Sequence, residues 1–281
     1  MQRFFYYRPF VFITLLTLSL SSFSQKKQLD HSVYDNWKSL QEISISNDGR
    51  FINAVISPQE GDSTLYIYDS KKEKELLIHR VNKYTLSPDG RYTVALLKAP
   101  FSEIRQAKIK KKKADDFPKD SLVIVDNETF TFYKIADVKS YTTSPEMAAH
   151  IAYKKAAPKD TAKSKSNKPA DLLIIRNLNT SAEDTVKNSK ELAFNKFGNS
   201  LAVSVEPEKK DSTDTHKVLF FDLKNGNKKQ ISGEKMEYRS FSFDETGNQL
   251  VYLATKDTSK IEQKVFDVRY FKNTMDSAVV I

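Results

Sequence analysis

The sequence predicts an all-β fold, a β-propeller of four-stranded antiparallel blades with about five blade repeats present and the last one incomplete. Three observations carry this. A strand, tight turn, strand signature recurs at 43–52, 84–93, 141–150, 192–201 and 241–250. Each copy is followed, in the same order, by a further apolar strand that often ends in aspartate, as at Asp69, Asp126 and Asp222. The turn glycines Gly49, Gly90, Gly198 and Gly247, with Met147 in the place of one, are 41, 57, 51 and 49 residues apart. Four strands per roughly 50 residues is the propeller period. A β-sandwich, the alternative, does not accommodate about twenty strands in one domain.

Turn chemistry explains the residue types in each copy. Ser46, Ser87 or Asp244 at the turn's start accepts a backbone N–H, Pro88 and Pro145 suit a φ near −65°, and glycine supplies the positive φ that closes the reversal. Met147 breaks the pattern, so the third turn is expected to be strained or remodelled. Third strands are expected at 65–69, 122–126, 172–176, 218–222 and 264–270, with fourth strands such as 75–78 and 130–135 after short connections. Residues 277–281 read as a fourth strand just beginning. Long polar segments at 99–120, 156–170 and 206–217 all join a second strand to a third, so they project from one face of the disc.

The N-terminus has the layout of a cleavable secretory signal. Arg3 and Arg8 precede the apolar run 9–20, and small residues follow at Ser21, Ser22 and Ser24. The expected organisation is a signal peptide over 1–24, a pre-propeller segment over 25–40 and blades over 41–281. The apolar core is about half the length that crosses a bilayer, so no stable membrane insertion is expected after cleavage, and the mature chain is expected to be periplasmic or secreted. With no cysteine, disulfides, thiolate catalysis and Cys-ligated zinc are excluded.

The net charge of +9 is concentrated in lysine clusters, one at Lys108 and Lys110 to Lys113, another at Lys154, Lys155, Lys159, Lys163, Lys165 and Lys168. Neither has interleaved aromatics to stack on bases, so both read as solvated loops and no nucleic-acid partner is expected. No Gly-x-Ser-x-Gly elbow, His-Glu-x-x-His pair, glycine-rich phosphate loop or calcium loop occurs. Accordingly no catalytic, cofactor-binding or metal residues are assigned, and no cofactor is expected. Of the four histidines, His79 and His150 lie beside strands, His216 falls in a charged loop, and His31 precedes the blades. Ser87 and Ser144 belong to turns. Asp69, Asp126 and Asp222 sit at equivalent places on successive blades, too far apart for a metal ring, and are expected to cap turns or blade edges.

Residues 29–40, with 43–50 and 53–61, resemble the start of secreted prolyl-oligopeptidase-family serine peptidases (dipeptidyl- or acylaminoacyl-peptidase-like) of Bacteroidetes-type bacteria. The turns by themselves are less specific, since they recur in TolB-like propellers. The resemblance implies a seven- or eight-bladed propeller preceding an α/β-hydrolase domain with a Ser-Asp-His triad, which the propeller shields so that short peptides are preferred. No triad residue falls on this sequence. The resemblance therefore implies a non-catalytic propeller that gates peptides to a hydrolase domain missing from this chain, with a protein partner or self-association as a further expectation. The alternative reading is a self-contained TolB-like periplasmic binding or scaffold propeller.

Overall fold

A computed structural model of the chain describes residues 31–34, 37–146, 149–156, 171–208, 214–257 and 264–281. It divides into two units, 1–37 and 38–281. The described residues of the first form a helical turn, α1 (His31–Tyr34), and an edge-on contact between the Tyr34 and Trp37 rings with centroids 5.0 Å apart. The expected signal sequence and Met147 lie outside the described residues. Among those described, no helix is long and apolar enough to cross a membrane.

The second unit is the propeller, with five four-stranded antiparallel sheets each built from consecutive strands. Blade 1 comprises β1 (Lys38–Ile45), β2 (Phe51–Pro58), β3 (Thr64–Asp69) and β4 (Lys74–His79). Blade 2 comprises β5 (Val81–Leu86), β6 (Tyr92–Leu97), β7 (Ser121–Asp126) and β8 (Thr131–Ala136). Blade 3 comprises β9 (Val138–Thr143), β10 (His150–Lys155), β11 (Leu172–Asn177) and β12 (Glu183–Lys187). Blade 4 comprises β13 (Ser189–Phe194), β14 (Ser200–Val205), β15 (Lys217–Asp222) and β16 (Asn227–Ser232). Blade 5 comprises β17 (Glu237–Phe243), β18 (Gln249–Thr255), β19 (Asp267–Lys272) and the short β20 (Val279–Val280).

The repeated turn is closed the same way by three kinds of side chain. In blade 2 the Ser87 hydroxyl donates to Asp89 at 2.6 Å and accepts the Tyr92 N–H at 2.8 Å. In blade 4 one oxygen of Asn195 accepts the N–H groups of Asn199 and Ser200, and in blade 5 Asp244 does so for Asn248 and Gln249. These donors hold the Asp244 carboxyl down at about 2, the Thr246 hydroxyl contributing most. Each of these side-chain caps thus bonds to residues no more than about six positions away, which is why it was legible locally, whereas the Asn47 N–H of the first turn donates across the junction to the Pro88 carbonyl at 2.9 Å.

Several expectations need correction. β1 begins at Lys38, so residues 38–40 belong to the first blade and not to the segment before it. The third strand of blade 3 runs one residue beyond Arg176 to Asn177, whose oxygen accepts the N–H groups of Asn179 and Thr180; the amide replaces the aspartate of other blades. In blade 5 the strand starts at Asp267 and ends at Lys272, later than expected. The 99–120 connection contains α2 (Phe101–Ile109) and a 3-10 turn at Ala114–Asp116. That helix is anchored by Ala107, which is buried, and the N–H of its first residue, Phe101, donates to Asp62 Oδ1 of blade 1 at 3.0 Å. Lys154 and Lys155 lie in β10, not in a loop, and Lys154 Nζ donates to the Lys190 carbonyl of blade 4.

Alternate residues of each strand face neighbouring blades, and four apolar clusters fill the four successive junctions. Between blades 1 and 2, for example, Val55, Leu65 and Ile67 pack against Val81, Ala95 and Val123. Each fully buried aliphatic side chain there contributes about 1.5–3 kcal/mol. The two terminal faces are not covered in this way. On blade 1, Leu40 is 60% and Leu77 47% exposed, and on blade 5 Val251 and Val279 are 37% and 43% exposed.

A charged cluster reinforces the first junction. Arg50 forms a fork on Asp69, with Nη2 to Oδ2 at 2.7 Å and Nε to Oδ1 at 3.0 Å, and reaches Glu128 of blade 2. This bond, opposed by desolvation, holds the buried Asp69 carboxyl at about 2, below its ordinary 3.8. A carboxyl lowered by folding stabilises the native state fully above its ordinary value, and the contribution disappears as pH falls toward about 2. We expect Arg50→Ala to lower the denaturation midpoint near neutral pH and to flatten the loss of stability between about pH 4 and 2. The exposed Lys196–Glu245 pair serves as control, and Lys196→Ala should leave both nearly unchanged. Equal behaviour of the two variants in urea titrations would reject this role for Arg50.

Candidate functional site

The first strand of each blade borders the propeller's central channel. Here the inner rims of blades 1 and 2 enclose a crevice of about 280 Å³. Glu42, Ile43, Ser44 and Ile45 of β1 line one side, and Tyr84, Leu86, Ser87 and Pro88 the other. A β-bulge between Gln41 and Ser44 creates this wall, with Glu42 at φ 49°. The extra residue turns the strand and leaves Glu42 exposed beside Ile43 and Ile45.

Tyr84 forms the crevice's polar floor. Its hydroxyl donates to the Asn53 carbonyl at 2.8 Å, lies 2.8 Å from the Ser44 hydroxyl and touches the Glu42 carbonyl. Burial pushes its phenol above the ordinary value, so it remains a neutral hydroxyl at physiological pH. Tyr141 repeats the arrangement one blade on, reaching back to the Val94 carbonyl and the Thr85 hydroxyl, each at 3.2 Å. Behind Tyr84 a buried polar chain crosses the junction, from Asn53 Nδ2 to the Thr93 hydroxyl at 2.8 Å and onward to Asn127 Oδ1 at 3.1 Å. The crevice therefore offers a carboxylate, hydroxyls and two exposed isoleucines on a rigid support, which suits binding an extended amphipathic chain.

The residues singled out in the sequence are dispersed. Ser87 reaches the crevice rim, but it is buried and its hydroxyl is committed to the turn. Ser144 is buried in the third turn. His79 Nδ1 lies 3.0 Å from the Thr64 hydroxyl. Asn177 Nδ2 donates to His150 Nε2 at 3.0 Å, and burial lowers that imidazole's pKa. His216 is half-buried between blades 4 and 5, beside Lys190, Glu206 and Glu237, and is not the solvated residue its charged surroundings suggested. Asp69, Asp126 and Asp222 each accept backbone N–H groups of the turn that follows them, the capping role their position indicated. Among the described residues no three His, Asp or Glu side chains converge as a metal site. Glu42 and Tyr84 went unrecognised as site residues. The bulge has no sequence signature, but Tyr84 and Tyr141 share one repeat position, and that was a usable signal.

No protein family matches the chain, and no curated protein does. Solved structures do. The β-propeller domain of the Trilobed protease from Pyrococcus furiosus, described as having an open velcro topology, matches 86% of this chain and 72% of its own at 12% identity, TM-score 0.45. The acylaminoacyl peptidase of Pyrococcus horikoshii matches 89% of this chain at 10% identity and TM-score 0.45. TolB from Acinetobacter baumannii matches 86% at 11% identity and TM-score 0.36. The chain spans 41% of the acylaminoacyl peptidase and 56% of TolB.

Proposed function

We propose that this chain is the exported, non-catalytic propeller part of a prolyl-oligopeptidase-family serine peptidase, and that it gates peptide access to a C-terminal α/β-hydrolase domain outside residues 1–281. The observation that carries this reading is the division of labour at the axial rim. Ser87 has the nucleophile's atom type but is buried and doubly hydrogen-bonded within its turn. The crevice beside it offers binding groups instead, with the Glu42 carboxylate next to exposed Ile43 and Ile45. The resemblance of 29–61 to that family's N-terminal region supports the same reading, since residues 42–45 within that segment line one side of the crevice. In this proposal 1–24 is the leader, cleavage precedes Gln25, and the mature protein works in the periplasm or outside the cell. Acyl transfer needs a nucleophile, a base and oxyanion donors held together, and these belong to the hydrolase domain.

Two measurements test the two halves. The purified chain should neither turn over chromogenic Pro- or Ala-linked tripeptides nor take up a fluorophosphonate probe; stoichiometric labelling of one serine, with turnover lost on its change to alanine, would overturn the non-catalytic assignment. In the complete protein, kcat/KM should fall roughly tenfold or more, a barrier increase of about 1.4 kcal/mol, between tripeptides and chains of domain length. Equal values would reject the gate.

A further inference from the structure

A second cavity, of about 250 Å³, lies where the turns of blades 4 and 5 meet. Its origin is visible in the repeat. The residue after the turn glycine is Arg50 in blade 1 and Arg91 in blade 2, but Asn199 in blade 4. A common backbone bond fixes the equivalence: the Arg50, Arg91 and Asn199 carbonyls accept the N–H of Ser70, Asn127 and Leu223 respectively, at 2.8–2.9 Å. The residue preceding each of those donors is Asp69, Asp126 or Asp222. In blade 1 the Arg50 guanidinium occupies the junction, forked on Asp69 and 4.5 Å above the Phe51 ring. Blade 4 has Ser200 in the place of Phe51, so two large side chains have become small ones while the aspartate has stayed.

We propose that this cavity is a guanidinium site, receiving the arginine side chain of a peptide or protein partner where blade 1 uses an arginine of its own. Asp222 is poised for it. Among the described residues its oxygens accept from Asn225 alone, from N at 3.1 Å and Nδ2 at 2.7 Å, which leaves each a further lone pair for a fork. Asn273 Nδ2 donates to Asn248 Oδ1 at 3.0 Å, so the Asn273 oxygen is left to accept. Phe220 gives the lining an apolar surface for the planar group. Lys224 is the one cation on the lining; it makes no ion pair among the described residues and opposes the ligand's charge. A lysine ammonium cannot form the fork that a guanidinium forms.

The test is an NMR titration of the whole chain with N-acetyl-arginine amide, and in parallel with N-acetyl-lysine amide. Shifts of the Asn225, Asn248 and Asn273 signals are expected with the arginine compound, and binding at least about tenfold weaker with the lysine compound. Asp222→Asn keeps a cap acceptor but removes the charge, and should weaken arginine binding about tenfold or more. Asn199→Arg rebuilds the blade 1 arrangement internally and should abolish binding while raising the melting temperature. Equal response to both compounds, or arginine binding by the folded Asn199→Arg variant like that of the parent, would overturn the assignment. This readout is independent of peptidase activity, so its failure leaves the gating proposal standing.

Discussion

Gly90→Ala should destabilise the protein by about 2–5 kcal/mol, while the same change at Gly49 should cost only about 1–2 kcal/mol. The two glycines close equivalent turns and have the same φ of +74°, so both alanines incur the left-handed backbone penalty of about 1–2 kcal/mol. They differ in what a Cβ would meet. At Gly90 it would lie 2.8 Å from both Phe51 Cδ2 and Ser46 Cβ of blade 1, whereas at Gly49 nothing lies within 4 Å. Phe51 is buried and Ser46 is held by its own turn, so relief at Gly90 requires the two blades to part, and overpacking of this kind adds about 1–3 kcal/mol. Urea unfolding of both variants checks the contrast. Equal midpoints would mean that the second turn is not wedged against the first blade.

The second large effect separates the two faces of one blade. Leu65 and Leu77 lie on neighbouring strands of blade 1. Leu65 is fully buried in the junction with blade 2, while Leu77 is 47% exposed on the opposite face. Leu65→Ala is expected to cost about 2–5 kcal/mol, the transfer and cavity terms together. Leu77→Ala should fall within about 0.5 kcal/mol of the parent, as surface changes usually do. Comparable losses for both in equilibrium denaturation would show that the outward face of blade 1 is covered in solution.

The blade order and the turn chemistry were legible because the side chain that caps each of these turns bonds to residues at most six apart. Ser46, Ser87, Asn195 and Asp244 announce themselves by position. The aspartates after third strands were legible as caps for the same reason. The helix over 101–109 was obscured by its polarity, since a single buried anchor, Ala107, does not stand out from the lysines around it. Blade 3 and blade 5 boundaries slipped where Asn177 and Lys272 replace the aspartate that marked the strand end elsewhere.

The candidate site was less legible. A one-residue bulge decides that Glu42 and Ile43 face the crevice and that Tyr84 meets Ser44, and a shift of one residue in a strand exchanges its two faces. The sequence by itself determined an all-β chain of repeated four-stranded units with turns capped by their own side chains. Only the tertiary structure decided which of two equivalent residues is buried, as with Asp69 under Arg50, and which junction is filled or hollow, as between Arg50 and Asn199. Such contacts join side chains distant in sequence, 19 residues for Arg50 and Asp69 within one blade and 78 for Arg50 and Glu128 across two, and their meeting depends on how strands pair and neighbouring sheets twist and pack, which no local pattern encodes.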